Sequence, residues 1–328
     1  MRIAYLACGS AAHLPARADL DALAAPTATV TIHQLDARPH RKELRFLDEL
    51  AHEVLPHDPT PSLDEIAQRP DVSHLGEPGP PPQSPEEELR VVVAGDDAAL
   101  SAVLTRMMRG DYLWAPVGYV PTDPTSAAAT NWSLPSARPG QLALALRGRP
   151  QPVPVIRNDQ GVVVAGVATV THSDGGAFEG EIIVDDTTLV QQQIRPANVR
   201  FFSQFGARLV PTIGAPGIAA LRIMTPPAGS GSGSSRRGLR ARLSDRVVDS
   251  IGPQQAQSFY ETPALRWLVS AAEAPTGGVD PRTTTYGRAL QAGGNRMLVT
   301  VDGVEAKRPV DRVTFYRHLR DLQIARPA

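Results

Sequence analysis

The stretch from Val91 to Arg109, VVVAGDDAALSAVLTRMMR, decides the fold of this chain. Its first four residues are apolar and mostly β-branched, which predicts a strand covered on both faces. Gly95 then supplies a turn. From Ala98 onward, apolar residues recur at helical spacing, which predicts a three-turn helix packed back onto the strand. The stretch is therefore one half of a βαβ unit.

Two carboxylates, those of Asp96 and Asp97, occupy the turn where a phosphate-binding loop would carry glycines. A helix N-terminus attracts phosphate through its exposed N–H groups. A carboxylate about 4 Å from a phosphate charge opposes this by roughly 1 kcal/mol in water, and by more when partly buried. Asp is also favoured as a helix N-cap. The turn therefore disfavours phosphate binding. Its two acids either cap the helix or have a metal-binding or catalytic role.

Composition limits the function classes. A chain of 328 residues that is 42% hydrophobic can form two domains with real cores, and its net charge of −1 gives no support for a nucleic-acid partner. The single cysteine, Cys8, excludes an internal disulfide and favours the cytoplasm. The apolar runs are short or interrupted, so we expect neither a signal peptide nor a transmembrane segment.

The first part of the chain predicts alternating strands and helices. The predicted elements are strands at Arg2–Ala7 and Thr27–Leu35 and helices after Pro15 and at Arg41–Val54. Residues 56–85, with their PGPPPQSP run, predict a surface loop. Ser84, Pro85 and Glu87 resemble a capping box, which predicts a short helix leading into the central strand.

Beyond Arg109 we expect a strand at Tyr112–Val120 and a loop at Pro121–Pro135 with a short helical piece. After Pro135 strand-like segments alternate with Gly, Asp and Asn turns. These predicted strands are Leu142–Leu146, Val153–Arg157, Val162–Thr171, Ala177–Val184, Ala197–Phe202, Ile218–Met224, Met297–Val301 and Val313–Ile324. The pattern predicts an α/β domain over 1–135, a β-rich domain over 136–310 and a tail over 311–328.

The composition of residues 228–238, AGSGSGSSRRG, predicts a mobile loop within the β-rich domain. The arginines that end this loop and follow it have two alternative roles. They either contact lipid phosphate or an acidic partner, or they form a solvated helix face. One functional hypothesis is therefore a structural subunit that docks on a partner through this loop.

The order of these pieces resembles the bacterial diacylglycerol kinases, and with them the sphingosine kinases and, more distantly, the NAD kinases. VVVAGDDAALSAVL lies where that family has VVxGGDGTxNEV, and PVGYVPTDPTSAAATNWSLP lies where it has LGIIPxGTxNDFARxLGLP. Gly118, Pro121 and Pro135 stay in register, and the closing MLVTVDGVEAKRPVDR resembles the family's VDGE segment. The resemblance implies an N-terminal α/β domain, a C-terminal β-sandwich, a nucleotide between them and a tail that returns to the first domain.

The family's phosphate-handling motifs are replaced in this chain. Only Gly95 and Asp97 match the GGDGT turn, and the DDG turn of the presumed base becomes Ala215, Pro216 and Gly217. By register, the resemblance implies Asp97 as the catalytic candidate. The cofactor-binding positions that it implies are Gly9, Ser10, Gly95, Asp96, Asp97, Ala98, Asp123, Thr125 and Ser126.

Phosphoryl transfer needs charge neutralisation, a metal ion and a positioned nucleophile together. We therefore expect a diverged lipid kinase-like protein, a pseudokinase without a cofactor, that binds or regulates, with a lipid or small molecule in the interdomain cleft. The alternative is an active ATP- and Mg-dependent kinase for diacylglycerol or a sphingoid base, in which Asp96, Asp97 and Asp123 hold the cation. A protein partner or second copy and attachment at the membrane surface are further expectations.

Overall fold

A computed structural model of the chain describes residues 1–25, 27–56, 76–192, 204–226 and 278–327. The predicted N-terminal α/β domain is confirmed. Its elements are β1 (Arg2–Cys8), α1 (Arg17–Leu23), β2 (Thr29–Leu35), α2 (Arg45–Val54), β3 (Leu89–Gly95), α3 (Asp97–Arg109), β4 (Val117–Pro121), α4 (Ala127–Asn131), α5 (Arg138–Arg147) and β5 (Pro150–Val153).

The predicted C-terminal β domain is also confirmed. Its strands are β6 (Ile156–Asn158), β7 (Val163–Val164), β8 (Ala168–His172), β9 (Gly180–Val184), β10 (Thr187–Gln192), β11 (Gly206–Pro211), β12 (Ile218–Ile223), β13 (Val279–Gly287), β14 (Ala289–Val301), β15 (Val304–Glu305) and β16 (Val310–Arg317). A last strand, β17 (Leu322–Ala325), lies in the first sheet.

The first sheet has the strand order β2-β1-β3-β4-β17-β5, and only β5 runs antiparallel to its neighbour. Every residue of β3 is buried, because helices cover the sheet on both sides. Val91 and Val93 pack with α3 on one face, whereas Val92 packs with α1 and α5 on the other. This explains why β3 reads as an unbroken apolar run.

The second sheet is antiparallel and contains eleven strands. The long strand β14 organises it, because residues 290–294 pair with β9 and residues 297–301 pair with β8. The sheet therefore divides along β14, next to Arg296, whose φ is +46°. Phe178, Phe315, Met297 and the apolar residues of β8 and β14 form the core on its inner face.

The predicted strand at Leu142–Leu146 is wrong, because these residues belong to α5. The alternation of Leu and Ala imitates a strand. Pro139 at the start of the helix fixes its first turn. Leu142, Ala145 and Leu146 are buried at the i, i+3 and i+4 spacing of one helix face.

Of two further predictions, one strand is confirmed only in its second half and one helix is wrong. The predicted strand at Tyr112–Val120 begins only at Val117, because the buried residues 112–115 form a turn in which the Tyr112 N–H donates to the Met107 carbonyl. No helix follows Ser84. The start of the described segment, residues 76–79, instead contacts residues near the C-terminal strands. Gly79 donates its N–H to Asp321 and accepts from the Gln323 amide, so this segment bonds to the tail and not to itself.

Several predicted elements are confirmed with shifted ends. The helix predicted over Arg41–Val54 begins at Arg45, the strand predicted from Thr27 begins at Thr29, and the short helix expected in the 121–135 loop is α4. The strands predicted over 153–157 and 162–171 are each interrupted. The strand expected at 197–202 and the mobile loop expected at 228–238 lie outside the described residues.

The proposed limits at 135 and 310 stay predictions. In the sheets, the chain passes from the first domain to the second between β5 and β6 and returns between β16 and β17. Within the described residues, no helix is long and apolar enough to span a lipid bilayer.

A close approach of β4 and α5 yields a stability prediction. A Cβ on Gly118 would lie 2.5 Å from the Ala145 carbonyl oxygen and 2.7 Å from its Cα. Gly118→Ala should lower the free energy of unfolding by about 1–3 kcal/mol, because the helix must move away from the sheet. Urea denaturation measures this. Gly293→Ala is the control, since nothing lies within 4 Å of its Cβ position. An equal loss in both variants would contradict the packing argument.

Candidate active site

The predicted site residues lie at the carboxyl edge of the first sheet. Gly9 follows β1, Asp96 follows β3 and Asp123 follows β4, and these three strands are neighbours in the sheet. The chain leaves β1 toward α1 on one face and leaves β3 toward α3 on the other. Such a switch point forms a crevice at the ends of the strands, which is where open α/β sheets bind ligands.

Asp96 is the N-cap of α3. Its Oδ1 accepts the Ala99 N–H at 2.8 Å, and its side chain is exposed. The turn before it is tightly packed, since a Cβ on Gly95 would lie 2.9 Å from the Ala99 Cβ and 3.1 Å from the Cys8 Cβ. Asp96 therefore has the capping role, and its negative charge lies at the positive end of the helix dipole.

Asp97 caps a different helix. Its Oδ1 accepts from the Tyr119 hydroxyl at 2.9 Å and the Ser126 hydroxyl at 2.5 Å. Its Oδ2 accepts the N–H groups of Ala127 at 2.8 Å and Ala128 at 3.2 Å, which open α4. Both oxygens are thus occupied by the protein, and the carboxylate connects the end of β3 to the loop after β4. Burial, followed by the charge of Asp97, raises the pKa of Tyr119, which keeps this phenol a donor.

The other candidates stand apart from Asp97. Asp123 accepts the backbone N–H and the hydroxyl of Thr125, both at 2.7 Å, and these bonds, the hydroxyl first, lower the pKa of Asp123. Gly9, at a φ of +83°, turns the chain after β1, and Ser10 is exposed. Ala98 faces the groove described below. Ser126 is the one cofactor-binding candidate that the structure brings into contact with Asp97.

The three acids proposed to hold a cation do not converge. Among the described residues, the one group of three acidic, His or Cys ligand atoms within 4.8 Å of one another is Asp36, His40 and Glu43. There Glu43 accepts the N–H groups of Asp36 and His40 and contacts the His40 ring, which closes the loop after β2. The carboxylates of Asp96, Asp97 and Asp123 are instead used in separate capping and turn contacts.

A buried acid that the sequence analysis did not single out lies close to Asp97. Asp302, 6% exposed, accepts the N–H groups of Ala165, Gly166 and Val167, each at 2.8 Å. Gly166 separates the two acids, because a Cβ there would lie 2.7 Å from the Asp97 Oδ2. Burial raises the pKa of Asp302 to about 7, against the three N–H bonds that lower it, and the charge of Asp97 raises it further.

The face of α3 that points toward the second domain bonds to residues 160–163, just before the N–H groups that Asp302 accepts. The Ser101 hydroxyl donates to the Val163 carbonyl at 2.6 Å, and the Thr105 hydroxyl accepts the Val163 N–H at 2.9 Å. Arg109 donates to the carbonyls of Gln160 and Gly161. These three side chains recur every four residues, so one helix stripe fixes the second domain against the first.

An open groove of about 910 Å³ lies between the two domains. One wall is the loop after β2 together with α3, and the other is the end of β14 with the segment leading to β16. In the part of the chain that the structure describes, six Lys or Arg residues line it, against one acidic residue, Glu305. Sequence reasoning missed this surface, because its cations come from segments at opposite ends of the chain and form no run.

No protein-family model and no curated protein matches this sequence. Solved structures do match. A diacylglycerol kinase from Bacillus anthracis superposes with a TM-score of 0.54 at 7% identity, covering 99% of this chain and 97% of that one. The fold is that of a diacylglycerol kinase. Another structure from that organism, assigned to the same kind of kinase, gives 0.52 at 9% identity over the same shares of the chains.

An NAD kinase from Archaeoglobus fulgidus, solved with ATP, is also similar in structure, with a TM-score of 0.44 at 11% identity over 99% of this chain and 94% of that one. The predicted resemblance in architecture to the diacylglycerol kinases is confirmed over nearly the whole chain. At such identities the similarity concerns the fold, and the residues above carry any argument about chemistry.

The contacts of Asp97 predict a stability effect. Asp97→Ala should lower the free energy of unfolding by about 2–4 kcal/mol, because two hydroxyls and the first N–H groups of α4 lose a charged acceptor. Chemical denaturation measures it. Asp123→Ala removes an exposed carboxylate with only local bonds and should cost less than about 1 kcal/mol. Equal costs in the two variants would contradict the capping role of Asp97.

The environment of Asp302 predicts a pH dependence. Its pKa in the folded chain, about 7, lies above the ordinary 3.8, so the folded state binds the proton more tightly. The stabilisation from this proton is present at low pH and is lost as the pH rises through 7. Between pH 8 and pH 5, the wild type should gain roughly 2–3 kcal/mol relative to Asp302→Asn, which cannot titrate. Parallel stability curves for the two proteins would contradict it.

Proposed function

We propose that this protein is a binding protein built on the diacylglycerol kinase fold, that it lacks ordinary ATP-dependent phosphoryl transfer, and that its ligand occupies the groove between the two domains. The observation that carries the proposal is the engagement of Asp97, the one acid retained from the GGDGT turn. Both of its oxygens accept hydrogen bonds from β4 and α4.

A carboxylate held in this way is poorly placed for catalysis. To take a proton or to bind a metal ion it would have to give up the bonds that fix the start of α4, and four donors would lose their acceptor. The geometry favours a structural role for Asp97, in which it couples the ends of β3 and β4.

The neighbouring turn supports the same conclusion. A transferring phosphoryl group needs donors and cations around it. At the N-terminus of α3 it would instead meet the exposed carboxylate of Asp96, beside a Gly95 that is packed closely against Ala99 and Cys8. The groove on the other side of α3 has the opposite charge, which is why we assign the ligand to it.

Turnover measurements test this proposal. The protein is incubated with ATP, Mg²⁺ and either diacylglycerol or sphingosine, and phosphorylated lipid is quantified against a heat-denatured sample. We expect no product above that background, under conditions in which an active diacylglycerol kinase gives complete conversion. Phosphorylated lipid that forms with the wild type and is lost in Asp97→Asn, with the fold intact by circular dichroism, would establish the alternative, an active kinase with a rebuilt site. Location in the cytoplasm or at a membrane surface stays a prediction.

A further inference from the structure

Four cations at the mouth of the groove have no partner among the residues that the structure describes. We call Arg38, Arg41, Lys307 and Arg308 the basic rim. All four side chains are exposed and line the groove. Two come from the loop after β2, and two come from the segment between β15 and β16. The rim therefore presents positive charge from both domains toward one space.

The remaining cations of the groove are already used. Arg106 forms an ion pair with Asp48, and Arg109 donates to the carbonyls of Gln160 and Gly161. Among the described residues that line the groove, Glu305 is the one with an acidic side chain. The described lining therefore offers the basic rim little negative charge, and the rim's positive potential would attract an anion.

The loop that carries Arg38 and Arg41 is held in shape. Glu43 accepts the Asp36 N–H at 3.0 Å and the His40 N–H at 2.9 Å, and its Oε2 lies 2.5 Å from the His40 Nδ1. One carboxylate thus closes the loop on itself and leaves both arginines free. Positions fixed in advance lower the entropy lost when a ligand binds.

The inner surface of the groove is apolar. Val299 and Val301 at the end of β14 are 5% and 7% exposed, and Val304 and Val310 are partly exposed beside them. We call these four residues the valine floor. A site with an apolar interior and a charged mouth suits a ligand that has an apolar body and a charged group at one end.

We propose that the groove binds a small molecule that carries a phosphate group on an apolar body, with the phosphate on the basic rim and the body on the valine floor. This inference rests on the proposed function, since it names the ligand of the same groove. Three of the four rim residues are arginines, whose planar donors bind phosphate oxygens in pairs. Cations from both walls favour a dianion over a singly charged carboxylate.

Calorimetric titration with octyl phosphate tests the proposal, in low-salt buffer with EDTA and without ATP. We expect one binding site per chain and an affinity that falls as salt is added, because the rim is exposed. The double variants R38Q/R41Q and K307Q/R308Q should each weaken binding about tenfold. The control R147Q/R149Q removes two exposed arginines outside the groove and should bind as the wild type does.

The nature of the apolar body is tested in the same buffer. AMP and inorganic phosphate, which each carry a single phosphate group, are titrated beside octyl phosphate. The proposal is supported if either organic phosphate binds more tightly than inorganic phosphate and if this binding depends on both halves of the rim. The organic phosphate that binds more tightly then shows whether the body is a nucleoside or an alkyl chain. Inorganic phosphate binding as tightly as both would overturn the role of the valine floor.

Two other results would overturn the role of the rim. These are absence of binding to the wild type, or equal weakening in the control and the rim variants. The failure of this inference is distinguishable from that of the proposed function. Formation of phosphorylated lipid would contradict the proposed function. It would leave the result of the titrations with the rim variants unchanged.

Discussion

The placement of the two domains depends on how one short backbone segment is held. Three consecutive N–H groups, those of residues 165–167, point at the carboxylate of Asp302, while the segment just before them bonds to the Ser101, Thr105 and Arg109 side chains of α3. The first domain thus holds residues 160–163 through α3, and Asp302 of the second domain holds residues 165–167. Because the groove between the domains is bounded by α3 and by β14, which ends just before Asp302, the same contacts set its width.

The acids after β3 occupy the place where a phosphate-binding turn would carry glycines. A glycine-rich turn keeps backbone donors open to a ligand. Here Asp96 and Asp97 supply acceptors to those donors and to α4, so the end of the sheet is satisfied internally. Positive charge instead collects on the far side of α3. The carboxylates and the positive charge are both arranged around α3. Its N-terminus lies at the carboxyl edge of the first sheet, and its side lines the groove.

Much of the fold could be predicted from the sequence, because burial leaves a direct trace in it. The β-branched run at 91–94 and the helical spacing after it give β3 and α3 without further information. The helix α5 could not be predicted in the same way, since its Leu and Ala alternate and the face that it buries is decided by contact with β4.

The site was harder to predict than the fold. Asp97 was identified by its position in a motif, but the partners that occupy it, Tyr119 and the start of α4, are known only once β3 and β4 are placed side by side. Asp302 lies in a VDG stretch that is typical of a turn. Its burial depends on residues 165–167, which fold over it. Side chains that meet from opposite ends of a chain leave no local pattern.

The position of β17 has a consequence for biosynthesis. This strand lies between β4 and β5, and the whole second domain precedes it in the chain. While a ribosome is still making that domain, the emerging first sheet lacks an inner strand, and the edge of β4 is open to unwanted pairing. A fragment that stops at β5 would carry the same gap, so the first domain is not a free-standing unit, although it comes first in the sequence.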